Sequence, residues 1–378
     1  GGALEPELHA RPGVDGTLRP VHDVGLPLIL APYVRLLKPL VTPLLGVPDH
    51  PVLKRFRLTP STAYRHLLSA FMIIVAATLA REMFKTFLLV ETQPSLAFWT
   101  ALVVSLSPPL LIFSILTFTE LMSALVCLVL FRYLVLEDRR ELWPWVGAGA
   151  LIGFLLLLHV RSVGLVAILL ILASRKLARQ QSIQNVAAFL TPLSLIVGVR
   201  IALNYQFWGT YLTNPHARLG PTSIPDNVHG ALHRSLAMLL DQEFGLLPYA
   251  PIFGLVPLGG VILWRRSPAL SAQLLAVVVF YLLPICLPFF NVHGWTGGWS
   301  PPGRFLMPII PLLGIAVYAA MAATSRAVIA PLLLLQIIAN AYFWQNPKTL
   351  WNDGDGIAAV CERHDLGVCR LLPSFPEL

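Results

Sequence analysis

Several polar side chains of this chain stand at the ends of long apolar runs, where they cannot contribute to an apolar core. His22 and Asp23 lie in a polar loop directly before an apolar segment, and Glu120 opens an apolar run. Polar groups beside apolar helices at a bilayer surface are candidates for function, because keeping them there costs free energy. A carboxylate can accept a hydroxyl proton, and a histidine beside an aspartate can relay protons or bind phosphate or metal. We therefore predict that Glu120, His22 and Asp23 are catalytic.

Two arginines occupy comparable places at the ends of apolar runs. Arg161 follows His159 between two such runs, and Arg304 follows a turn rich in glycine and proline. A guanidinium group presents a planar fork of donors that matches the oxygens of a phosphate group. Asp241 and Gln242 precede another apolar run, after a long polar loop. We predict that these five residues bind the substrate.

Each of these residues also has a purely structural interpretation. Glu120 can stabilise a helix N-terminus through the helix dipole. Arg161 can extend its guanidinium group to the membrane interface, and Asp241 can be a solvated loop residue. The functional prediction therefore depends on convergence, because the segments that carry these residues are all expected at one face of the membrane. The remaining histidines lack the spacing of zinc ligands, and a divalent metal ion stays an open alternative.

The composition is that of a membrane protein. Of 378 residues, 56% are hydrophobic and 12% are charged, whereas about 25% are charged in a typical soluble domain. Continuous apolar runs of about 20 residues match the hydrocarbon core of a bilayer. We therefore predict an all-α, polytopic transmembrane helical bundle. The net charge of +8 fits basic loops that contact lipid phosphates, so membrane lipids are expected partners and nucleic acid is not.

About ten spans and one interfacial helix account for the apolar runs. Residues 1–63 are predicted to form an extracytoplasmic loop and an interfacial helix at 26–47, which four prolines should break. Residues 64–344 form the bundle, with an extracytoplasmic loop at 206–246, and residues 345–378 form an extracytoplasmic tail. We also expect a further span before residue 1. The predicted spans are 64–84, 96–118, 120–136, 144–158, 161–174, 185–205, 247–264, 269–290, 305–324 and 327–344.

The basic residues predict the orientation of the bundle. Five basic clusters, beginning with Arg81/Lys85 and ending with Arg326, fall on one side if the ten spans hold. The positive-inside rule makes that side cytoplasmic. A second arrangement, in which 26–47 spans the membrane and 96–118 is re-entrant, stays open. Cys361 and Cys369 in the tail can form a disulfide if the tail is extracytoplasmic, and that pairing is also open.

Five segments with chemistry-bearing residues follow one another along nearly the whole chain, at 19–32, 107–120, 158–161, 241–251 and 298–308. Their order and the apolar pattern between them resemble the GT-C superfamily of membrane glycosyltransferases. That family includes protein O-mannosyltransferases and the lipid A aminoarabinose transferase.

The resemblance implies an enzyme that moves a sugar from a polyprenyl-phosphate donor to a lipid, glycan or protein acceptor, with inversion. It implies a bacterial inner membrane location and a site that faces the exterior. Glu120 then matches an acidic residue at the start of a span, and Arg161 and Arg304 match phosphate contacts. The family also has an essential acid in its first outer loop, for which Asp15 and Asp23 are poor positional substitutes.

Two other classes of protein remain open. A transporter or lipid flippase would place its charged residues near the middle of the membrane and would often show inverted repeats. In this sequence the polar residues cluster at the ends of apolar runs, and no internal repeat is visible. A membrane scaffold subunit without catalytic activity is the third interpretation.

Overall fold

The computed structural model describes residues 10–20, 24–45, 60–211, 224–287, 301–346, 350 and 373–375. In these ranges the chain is an all-helical bundle with one short antiparallel hairpin, β1 (Ala10–Pro12) and β2 (Leu18–Pro20), near its start. The α-helices are α1 (Gly25–Leu45), α2 (Pro60–Val90), α3 (Pro94–Leu106), α4 (Leu110–Phe113), α5 (Thr119–Phe131), α6 (Leu142–Leu158), α7 (Val163–Gln180), α8 (Ile183–Trp208), α9 (Ile224–Leu240), α10 (Leu246–Tyr249), α11 (Val256–Arg266), α12 (Pro268–Cys286), α13 (Ile310–Ala323) and α14 (Arg326–Gln345).

Shorter helical turns join several of these helices. A π-helical turn extends α5, and 3-10 turns precede α7, α11 and α13. These turns are Arg132–Leu136, Val160–Ser162, Pro251–Leu255 and Arg304–Ile309.

The described part of the chain contains six helical segments that are long and apolar enough to cross a membrane. This agrees with the predicted all-α membrane bundle, whereas the predicted count of ten spans stays a prediction. The other apolar runs form helices that are shorter or less apolar. The six segments are Thr62–Val90, Thr119–Leu136, Ile183–Trp208, Pro268–Cys286, Arg304–Ala323 and Arg326–Gln345.

The six segments differ in how deeply they lie in the bundle. In the most apolar window of Arg304–Ala323, 83% of the residues are buried, and in that of Thr119–Leu136 the share is 67%. For Ile183–Trp208 it is only 6%. Helices α5 and α13 are therefore central, and α8 lies at the periphery. Their neighbours close the core around large side chains such as Trp145 and Phe87.

Two segments differ from the sequence prediction. Helix α1 continues through Pro32, Pro39 and Pro43, where a broken helix was expected. A proline removes one backbone hydrogen bond and bends a helix, but packing against neighbours can keep the helix continuous. The predicted polar loop at 206–246 contains α9, whose residues Ala237 and Met238 are buried. Its apolar residues recur at helical spacing between polar ones, so its low overall hydropathy concealed an amphipathic helix.

Basic side chains from three helices meet at one end of the bundle, which we call the basic end. Glu82 of α2 accepts hydrogen bonds from Arg81 and Lys85 of its own helix and from Arg132 at the end of α5. Lys176 of α7 reaches the same region and donates to the carbonyl oxygen of Glu137 at 2.6 Å. The first three predicted basic clusters thus lie on one side, as the sequence predicted.

Helix α8 is held at the periphery by close packing against α6. Residues Gly149 and Gly153 of α6 form a glycine pair four residues apart, which lets helix backbones approach closely in membranes. A Cβ atom at Gly149 would lie 2.0 Å from the carbonyl oxygen of Phe189, and one at Gly153 would lie 3.0 Å from Ile196. The absence of side chains at these two glycines therefore sets the distance between α6 and α8.

We expect Gly149→Ala to destabilise the protein by about 1–3 kcal/mol, because the new methyl group forces the two helices apart. The matched control is Gly147→Ala on the same helix, where a Cβ would meet nothing within 4 Å. Thermal unfolding of both variants in detergent tests this. Equal melting temperatures for the two variants would show that the α6–α8 contact does not limit stability.

Candidate functional site

Glu120 and Arg304 form a buried ion pair at the opposite end of α5 from Arg132. Nε of Arg304 donates to Oε1 of Glu120 at 2.6 Å, and the two side chains are 18% and 7% exposed. Twelve residues of helix separate Glu120 from Arg132, which corresponds to about 18 Å. The pair therefore lies at the end of the bundle away from the basic end.

Local backbone geometry fixes both members of the pair. Glu120 is the second residue of α5, where a carboxylate is stabilised by the helix dipole. Arg304 follows Gly303, whose φ of 68° is in the left-handed region that glycine adopts without strain. The backbone N–H of Gly303 donates to the carbonyl oxygen of Phe244 at 2.9 Å. The guanidinium group of Arg304 also lies over the ring of Phe118, 4.7 Å from its centre.

Arg161 and His159 reach the same place from the break between α6 and α7. The backbone N–H of Arg161 donates to Nδ1 of His159 at 3.1 Å, so a neutral His159 carries its proton on Nε2. The guanidinium group of Arg161 lies 4.2 Å from the centre of the Phe305 ring. This arrangement is a cation–π contact, which holds Arg161 beside the residue that follows Arg304.

A small hollow lies beside Glu120, His159 and Arg161 and encloses about 260 Å³ when its open mouth is included. Its interior holds on the order of one water molecule. In this closed form the hollow does not admit a sugar or phosphate group unless side chains move. Its lining residues are Thr119, Glu120, Ser123, His159, Arg161, Ser162, Tyr281, Phe305 and Pro308.

The structure brings together four of the predicted site residues and places two others elsewhere. Glu120, Arg304, Arg161 and His159 are close enough to interact electrostatically. Asp241 and Gln242 are not among the residues that line the hollow. The substrate-binding role predicted for these two residues stays a prediction.

The Asp241 carboxylate organises a turn. Its Oδ1 accepts the backbone N–H groups of Glu243 and Phe244, and its Oδ2 accepts that of Phe375, all at 2.8 Å. The same turn supplies the Phe244 carbonyl group that holds Gly303. Asp241 therefore supports Arg304 indirectly, through the backbone of the turn.

His22, Asp23, Cys361 and Cys369 lie outside the described residues. The catalytic role predicted for the first two therefore stays a prediction, and the pairing of the two cysteines stays open. In the described ranges, no group of three or more His, Cys, Asp or Glu side chains is arranged to hold a metal ion. The divalent-metal alternative thus has no ligand set in that part of the chain.

The sequence prediction did not include four polar residues that line the hollow, namely Thr119, Ser123, Ser162 and Tyr281. Ser162 ends the 3-10 turn before α7, and Tyr281 lies deep inside the apolar run of α12. A tyrosine in an apolar run is a weak signal, because its ring packs like any other apolar group. Only the packing of α12 against α7 reveals that Tyr281 reaches the hollow.

Comparisons of the chain with protein-family models, with curated proteins and with solved structures give no match. Fold and composition define the class of the protein, which is an all-helical membrane bundle with a buried ion pair at one end. The resemblance to membrane glycosyltransferases remains a prediction from the order of its motifs.

We expect Glu120→Gln and Arg304→Met each to lower the free energy of unfolding by about 3–5 kcal/mol, because each leaves one buried polar group without its partner. The double variant should lose less free energy of unfolding than the two single variants lose together, since it removes both partners of the ion pair at once. Denaturant titration in detergent micelles measures the three values. Strict additivity would contradict a direct energetic coupling between the two side chains.

Proposed function

We propose that the protein is an integral membrane glycosyltransferase that moves a sugar from a polyprenyl-phosphate donor to an acceptor, with inversion. The observation that carries this proposal is the ion pair of Glu120 and Arg304 beside a second guanidinium group, that of Arg161. One carboxylate and two guanidinium groups are the side chains needed to accept a proton and to stabilise a leaving phosphate. They lie at the end of apolar helices, where a lipid-linked donor can approach from the bilayer.

The proposed reaction is a single displacement at the anomeric carbon of the donor sugar. The acceptor hydroxyl oxygen forms a bond to that carbon while the bond from the carbon to the phosphate oxygen breaks. The bonding electron pair leaves with the lipid phosphate, and the hydroxyl proton passes to Glu120. Arg161 and Arg304 stabilise the negative charge that develops on the departing phosphate. Inverting transfer requires such a base, and a phosphate leaving group needs little help from an acid.

The ion pair sets a condition for this mechanism. Oε1 of Glu120 accepts a hydrogen bond from Nε of Arg304, so the acceptor proton must pass to the other carboxylate oxygen or Arg304 must first move away. A donor phosphate competes with Glu120 for the same guanidinium group. When the donor phosphate binds to Arg304, it therefore replaces the Glu120 carboxylate as the partner of that guanidinium group.

The alternative function is transport or lipid flipping without glycosyl transfer. A transporter carries its binding residues near the middle of the bilayer, whereas Glu120 lies in the first turn of α5. The position of the ion pair at a helix end favours transfer chemistry at the membrane surface over passage through the bundle.

We expect the purified protein in lipid nanodiscs to bind undecaprenyl phosphate and not undecaprenol, which lacks the charge. It should then transfer or hydrolyse ¹⁴C-labelled sugar from a panel of undecaprenyl-phosphate hexoses and pentoses in the presence of a membrane extract that supplies acceptors. Glu120→Gln should lower the rate by about 10²–10⁴, the range of a general base. Arg304→Ala should weaken the binding of undecaprenyl phosphate.

The matched control is Glu91→Gln. Glu91 pairs with Arg266 at 3.0 Å, outside the hollow, so this variant removes an ion pair of similar length without touching the site. Its rate should equal that of the unchanged protein. Equal binding of the phosphate and the alcohol, or a full rate for Glu120→Gln, would overturn the proposal.

A further inference from the structure

Tyr281 is a deeply buried polar side chain that lines the hollow and was not predicted from the sequence. It is 3% exposed, and no hydrogen-bond partner of its hydroxyl group lies among the described residues. Buried tyrosine hydroxyl groups usually have a partner, and an unmade hydrogen bond in a buried place costs free energy. A side chain of this kind, at the wall of a hollow, is poised to bond to a ligand that enters it.

The backbone N–H groups of Arg161, Ser162 and Val163, at the start of α7, are not available to donate to a ligand in the hollow. The N–H of Arg161 already donates to Nδ1 of His159, and the N–H of Ser162 donates to the carbonyl oxygen of the same histidine. The N–H of Val163 donates to the carbonyl oxygen of Val160. This helix N-terminus therefore contributes its dipole but no free backbone donor. A ligand oxygen on this side of the hollow must be held by side chains.

Gly164 brings α7 and α12 into contact beside Tyr281. A Cβ atom at Gly164 would lie 1.9 Å from the carbonyl oxygen of Phe280, so no other residue allows this approach. Pro284 has no N–H and cannot bond to Phe280 in the helical manner, which leaves that carbonyl group facing α7. The close crossing holds the backbone next to Tyr281 against the first turn of α7, directly after the 3-10 turn that contains Arg161 and Ser162.

We propose that the Tyr281 hydroxyl group donates a hydrogen bond to the phosphate oxygen that faces α7, on the side away from Arg304. This inference rests on the proposed function and adds a binding residue to that site. The guanidinium groups of Arg304 and Arg161 balance the negative charge of the phosphate. Tyr281 adds an uncharged hydrogen-bond donor that points in a fixed direction. The hydroxyl group of Ser162, which makes no capping hydrogen bond, lies on the same wall and can supply a second neutral donor.

The test is the binding of undecaprenyl phosphate to the full chain in lipid nanodiscs, with undecaprenol as the uncharged probe. Tyr281→Phe should weaken binding of the phosphate roughly ten- to hundredfold, the loss expected for one hydrogen bond to a charged group. Binding of undecaprenol should not change, and the melting temperature without ligand should not fall. The ³¹P resonance of the bound lipid should shift between the two proteins, because a donor to the phosphate is lost.

The matched control is Tyr133→Phe, which removes another buried hydroxyl group without a hydrogen-bond partner among the described residues. Tyr133 lies near the basic end, so this variant should bind undecaprenyl phosphate as the unchanged protein does. Equal affinities and equal ³¹P resonances for Tyr281→Phe and the unchanged protein would overturn the role of Tyr281 alone. A chain that binds the phosphate no better than the alcohol would overturn the proposed function as well.

Discussion

The structure of the end of the bundle that contains Glu120 and Arg304 depends on the free-energy cost of burying charge. Taking one ion from water into a protein interior costs several kcal/mol, and a nearby opposite charge repays this only with good geometry. Glu120 and Arg304 achieve that geometry with a 2.6 Å contact. The left-handed turn at Gly303 and the helix start at Glu120 hold the two side chains in place. Neither charge can move or be removed without a consequence for the other.

Both ends of the bundle bury a carboxylate beside a mostly buried arginine. At the basic end, Glu82 is 8% exposed and Arg132 is 13% exposed, whereas Arg81, which also contacts Glu82, is 67% exposed. Of these pairs, the one that is open to solvent contributes little to stability. At the other end, Arg304 is 18% exposed and lies over an aromatic ring. An enclosed charge of this kind interacts strongly with any anion that reaches it, because little water screens it.

Breaks in the helices bring polar residues to the level of the hollow. The backbone groups that each break leaves without a helical partner must form hydrogen bonds elsewhere in the bundle. Every backbone group freed inside a membrane protein needs a partner. Asn340 of α14 donates to the carbonyl oxygen of Leu106, the last residue of α3, at 3.0 Å. Gln336, one turn earlier, is buried and donates to the carbonyl oxygen of Tyr249 at 3.4 Å. One peripheral helix thus supports the breaks after α3 and α10.

The sequence by itself determined the membrane class, most of the apolar helices and the positions of polar residues at their ends, because hydropathy is a local property. It also indicated that Glu120 and Arg304 belong together, although 184 residues separate them. Only the tertiary structure decided that Asp241 organises a turn and that Tyr281 faces the hollow. Those outcomes depend on which helices pack side by side and how closely. Such contacts arise from the whole bundle, so no local pattern of residues encodes them.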